Sequence, residues 1–62
     1  MNGYKTMLMI ANERLELEKG WAKVWKLREN PDKFKRAIHN AMQIEQVIAF
    51  INEQVRKFEE TS

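Results

Sequence analysis

The sequence has no cysteine, one histidine, one proline and two glycines in 62 residues. Each scarcity excludes something. Without cysteine there are no disulfides and no thiolate zinc sites. One histidine, His39, cannot make a His-based zinc cluster. Serine occurs once, at Ser62, and the threonines Thr6 and Thr61 lie near the ends. No hydroxyl therefore stands beside a base in the way nucleophilic catalysis needs. The helical neighbours of His39 are Lys35, Arg36, Gln43 and Gln46. Nothing there orients it as a general base, so it reads as a solvated surface residue. No Gly-rich phosphate loop is present, and the carboxylates form no Glu-x-x-His pair. The sequence predicts a protein that is not an enzyme and holds neither a cofactor nor a metal.

Long apolar runs are missing too. None exceeds five residues, as in Met7–Ala11, against the roughly 20 of a membrane-spanning helix. Lys5 precedes that run, but Glu13 and Arg14 follow at once, which is too short for a secretory signal. The expectation is a cytoplasmic protein, a whole gene product of a microbe or one of its mobile elements. Charge of one sign is also scarce. Eleven Lys and Arg face nine Asp and Glu, a net charge of +2, which neither demands nor forbids a basic face. Finally, a chain of 62 residues is short of core. Apolar burial barely offsets chain entropy below roughly 70–80 residues, and disulfides, metals or association commonly supply the difference. With the first two excluded, association remains.

What is present is helical periodicity around one strong break, Asn30-Pro31-Asp32. Asn suits an N-cap, Pro the first helical position, and Asp the positive N-terminal end of a helix. The second segment carries an apolar seam at Phe34, Ala37, Ala41, Ile44, Ile48, Ile51, Val55 and Phe58. Its steps alternate between three and four residues, the signature of helices packed as a coiled coil. Ile38 and Val47 widen it. The first segment carries two seams. One is Tyr4, Leu8, Ala11, Leu15, Glu18, Ala22 and Trp25; the other is Met7, Ile10, Arg14, Leu17, Trp21, Val24 and Arg28. Lys5, Asn12, Glu16, Lys19 and Lys23 form the polar strip between their far edges. A strand over residues 4–10 would have no partner strand. Gly20 falls inside the pattern, tolerated or as a kink, and Asn2-Gly3 reads as a short leader.

The predicted fold is all-α: one helical-hairpin domain over 1–62, with helix 1 at about 4–29, a turn at about 29–31 and helix 2 at about 31–60. Two helices of about 26 residues are each ~39 Å long, matched as an antiparallel hairpin requires. One partner helix covers only one seam of helix 1. A dimer of hairpins, forming a four-helix bundle, covers both. The expected oligomer interface is Leu8, Ile10, Arg14, Leu15, Leu17, Glu18, Trp21, Val24 and Trp25. Arg14 and Glu18 break the apolar pattern four residues apart, as an ion pair on one helix face or as an anion-binding arginine between subunits.

Lys23, Lys26 and Arg28 run up to the turn and Lys33, Lys35 and Arg36 follow it, so a hairpin gathers them at one end. Phe50 projects from the polar side of helix 2. These seven residues are the expected contacts for a partner or ligand. Three functions follow. The first is a homo-oligomeric helical adaptor or inhibitor that binds another protein, such as a phage- or plasmid-encoded modulator of a host factor. The second is an RNA-binding bundle that uses the basic end and stacks bases on aromatic rings. The third is a sequestering protein for an anionic nucleotide. The expected partners are a second copy and a protein, with nucleic acid or a small anion as the alternatives and no membrane.

Overall fold

The break at residue 30 divides the chain as its chemistry requires. The computed structural model describes residues 2–61, and the side chains of residues 3–60. It contains two helices and, among the described residues, no strand: α1 (Asn2–Leu27) and α2 (Pro31–Thr61). They pack against each other as a hairpin. Residues 4–10 are helical, not extended.

The turn satisfies the backbone at both helix ends. The amide of Asn30 donates to the carbonyl of Trp25 (3.0 Å), that of Glu29 to Lys26 (3.2 Å) and that of Arg28 to Val24 (3.0 Å). The bonds of Asn30 and Glu29 are the Schellman pair that closes a helix C-terminus. Glu29 takes the left-handed conformation this requires, with φ of 56°. Helix 1 therefore ends at Leu27, two residues before the expected boundary, because a residue at positive φ cannot continue a right-handed helix. On the other side, Asn30 Oδ1 accepts the amide of Lys33 (3.2 Å), and the Asn30 carbonyl accepts the amide of Phe34 (3.0 Å). Asn30 is thus the N-cap, Pro31 the first helical residue, and Asp32 lies in the first turn.

Three expectations change in detail. Asn2 and Gly3 belong to α1 rather than to a leader. Gly20 lies within an unbroken helix and has no positive φ, so no kink is needed there. Phe58, the last seam residue of helix 2, is exposed. The reason is length: α2 has 31 residues and α1 has 26, so the last turns of α2 run past most of the cover α1 offers.

The core is a single stripe. Leu15 and Ala22 of α1 and Ala37, Ala41 and Ile51 of α2 are buried. Tyr4, Leu8, Ala11, Trp25, Phe34, Ile44, Ile48 and Val55 are half-buried. All are seam positions, from the first seam of helix 1 and the seam of helix 2. No large side chain is fully buried among the described residues. The backbone measures 50 by 15 by 10 Å, a ribbon one helix thick with two broad faces. A ribbon of this kind buries little apolar surface for its chain entropy.

Candidate functional site

The second seam of helix 1 stays outside the hairpin. Met7 is 50% exposed, Ile10 59%, Leu17 49% and Trp21 47%. Arg14 and Arg28 are exposed as well, and only Val24 is half-buried. The expected interface therefore divides in two. Ile10, Arg14, Leu17, Trp21 and Val24 lie on the outward seam. Leu8, Leu15, Glu18 and Trp25 lie on the seam covered by α2 within the same chain, so another copy cannot reach most of their surface. The division follows from geometry, since the two seams lie side by side and one partner helix covers a single stripe.

The outward seam continues onto α2. Met7, Ile10, Ala11 and Arg14 line an open groove with Ile44, Val47 and Ile51. The cleft is almost wholly apolar, and Arg14 is the one charged residue that lines it. From spacing alone Val47 reads only as a widening of the helix 2 seam. Its alignment with Met7 and Ile10 depends on hairpin register, which the turn sets.

Arg14 and Glu18 form an ion pair of 3.1 Å, four residues apart on α1. The pair is lopsided. The Glu18 side chain is 8% exposed and that of Arg14 61%. Glu18 occupies a seam position, and Ala22, Ala37 and Ala41 are the small residues among the buried ones. Small side chains leave volume for a carboxylate, while the long Arg14 stem carries its charge to water. Among the described residues no buried side-chain polar atom lacks a hydrogen-bond partner.

At the turn end the two tryptophans stack on each other, with ring centroids 5.8 Å apart and planes at 17°. Lys33 Nζ lies 4.4 Å from the Trp25 ring centroid and the Arg28 guanidinium carbon 5.9 Å. Cations over an aromatic face are attracted by its quadrupole. Lys33 thereby joins the start of α2 to the end of α1. Lys23, Lys26, Lys35 and Arg36 are exposed, and among the described residues none of the four is in an ion pair. Lys19, Lys23 and Lys26, together with Glu16, border a second groove, on Phe34 and Ile38. The basic residues thus gather at one end, while Arg28 and Lys33 are engaged with Trp25.

Phe50 is exposed beside Gln43, Gln46 and Val47. The only histidine, His39, lies 3.2 Å from the Gln43 amide on the solvent side. Arg56 is bonded to Glu53, and to Glu60 at 2.9 Å, stapling the last turns of α2. The Arg56 hydrogen bond holds the Glu53 carboxyl below its ordinary range. Among the described residues no group of three or more metal-ligating side chains is placed to hold an ion. Among the described residues no helix is long and apolar enough to cross a membrane. No family model matches the chain, and no curated protein or solved structure is significantly similar to it.

Proposed function

We propose that the chain is a small non-enzymatic interaction protein: a helical hairpin that self-associates through the outward seam of α1 and offers its basic turn end to a protein partner. The observation that carries this reading is the outward seam itself. Met7, Ile10, Leu17 and Trp21 are each about half exposed in one helical stripe interrupted by Arg14, while among the described residues no large side chain inside the hairpin is fully buried. Surplus apolar face and a deficient core have one common remedy, which is association. Pairing through this face builds a four-helix bundle and supports the folded state by mass action.

The basic end favours a protein partner over RNA. Trp25 is occupied by Trp21, Arg28 and Lys33, which leaves one face of Trp21 as the free indole surface at this end, whereas single-strand binding stacks successive bases on several rings. The exposed lysines Lys23 and Lys26 instead border a groove floored by Phe34 and Ile38. A lysine rim over an apolar floor suits an acidic protein surface with apolar side chains of its own.

Native mass spectrometry of the protein isolated from its own cells tests the proposal. The expected species is a multiple of the 7.5-kDa chain, accompanied by a stoichiometric protein. A bare monomer at the highest soluble concentration, with no protein retained, overturns it.

A further inference from the structure

We infer that the second copy docks antiparallel, α1 against α1, with Leu17 at the two-fold axis and Arg14 over the partner's Trp21. This rests on the proposal that the chain self-associates through the outward seam, and it adds orientation and register.

The argument is charge placement along a nearly palindromic stripe. In order, the seam reads Met7, Ile10, Arg14, Leu17, Trp21, Val24, Arg28. A parallel, in-register pair sets Arg14 beside Arg14 and Arg28 beside Arg28. Like charges at a contact cost free energy; Glu18 on the neighbouring seam offsets Arg14 in part, but the outward seam itself carries no carboxylate, and none on it offsets Arg28. Reversal about Leu17 keeps all seven positions overlapped and removes both clashes. Met7 then meets the partner's Arg28, Ile10 the partner's Val24, Arg14 the partner's Trp21, and Leu17 its own counterpart.

The structure prepares that contact. Trp21 is stacked on Trp25 through one face and is still half exposed. No cation of its own chain lies over the Trp21 ring among the described residues, whereas Trp25 carries two. The Arg14 guanidinium uses one edge on Glu18 and has five N–H donors and a flat face in all. It can keep Glu18 and lie on an indole at once. A two-fold axis makes the contact twice. A second copy brings the free indole face that Arg14 does not meet within its own chain.

Engineered cysteines test this cleanly, because the chain has none of its own. Wild-type protein is first sized by sedimentation equilibrium. Single variants Leu17→Cys and Met7→Cys, and a mixture of Ile10→Cys with Val24→Cys chains, are then treated with a short bis-maleimide. The expected result is a covalent dimer from Leu17→Cys, a covalent heterodimer from the mixture, and little from Met7→Cys alone. Leu17→Ala weakens the wild-type dimer by roughly ten- to a hundredfold, from the half of each Leu17 still to be buried in two copies. Efficient self-linking of Met7→Cys means a parallel pair and overturns the inference. A wild-type dimer in which neither Leu17→Cys nor the mixture links means another face, which overturns the inference and leaves self-association standing. A wild-type monomer overturns both.

Discussion

Glu29 occupies a position where almost any other chemistry points to glycine. It sits at positive φ, 56°, in the closing turn of α1, and an L residue there costs about 1–2 kcal/mol. Glu29→Gly removes that cost while adding freedom to the unfolded chain, which returns about 0.4–1 kcal/mol. The net expectation is a gain of about 1 kcal/mol. For a chain of this size that is a rise of roughly 4–8 °C in Tm. The charge change is separable. Glu29 lies just beyond the carbonyl end of α1 and just before the N-cap of α2, so the two helix dipoles act on it with opposite sign and nearly cancel. Glu29→Ala, which removes the charge and keeps the backbone strain, should therefore stay within about 0.5 kcal/mol of wild type. Thermal and urea unfolding followed by circular dichroism measure both, at two protein concentrations, since association raises apparent stability. If Glu29→Gly is no more stable than Glu29→Ala, the Schellman turn is not the closure of α1 in solution.

Gly20→Ala tests the other backbone economy. A Cβ at Gly20 meets nothing within 4 Å in an unbroken helix, so urea unfolding should show a gain of about 1 kcal/mol, and a loss would mean a close approach at that face. The Arg14–Glu18 pair is tested by a double-mutant cycle. Arg14→Ala strands the Glu18 carboxylate; because the guanidinium is 61% solvent-exposed, the cost is about 1 kcal/mol rather than that of a fully buried pair. At dilutions where the hairpin is unpaired, so that no partner contact of Arg14 contributes, Arg14→Ala combined with Glu18→Ala should be no less stable than Glu18→Ala alone, and additive losses would mean the pair is not coupled. For Glu53 the carboxyl is lowered from 4.5 by Arg56. Its contribution to the last turns of α2 is present above pH 4.5 and fades as pH falls through the lowered folded value. Side-chain NMR titration should show the Glu53 midpoint rising in Arg56→Gln, and an unchanged midpoint would mean that the staple does not persist in water.

Much of the fold is legible in the residues. Asn30-Pro31-Asp32 marks the break because capping, ring geometry and dipole all agree on one position. The alternating spacing of Phe34 to Val55 marks the buried face of α2. What the spacing could not decide was which seam of helix 1 faces α2, since Leu8 to Trp25 and Ile10 to Val24 have equal periodicity. That choice belongs to the turn, whose geometry rotates α1 onto one stripe. Glu29 was equally hidden, because left-handed turns announce themselves through glycine or asparagine. The site was legible in its members but not in their grouping. Lys33 over Trp25 and Val47 beside Met7 are contacts across the hairpin, far apart in sequence, and no local pattern encodes them.

The three residues between Leu27 and Pro31 also set a clock. Every non-local contact in the hairpin closes around that one short, internally bonded turn, and none requires a long loop to be ordered first. Helical proteins with such local wiring fold in microseconds to milliseconds. The pairing proposed above is a concentration-dependent encounter and slower by nature. In the proposed assembly, newly made chains therefore pass through a single, marginally stable hairpin with its second stripe bare. At low abundance that solitary form loses the support pairing would give it, and its bare stripe is open to whatever apolar surface it meets first.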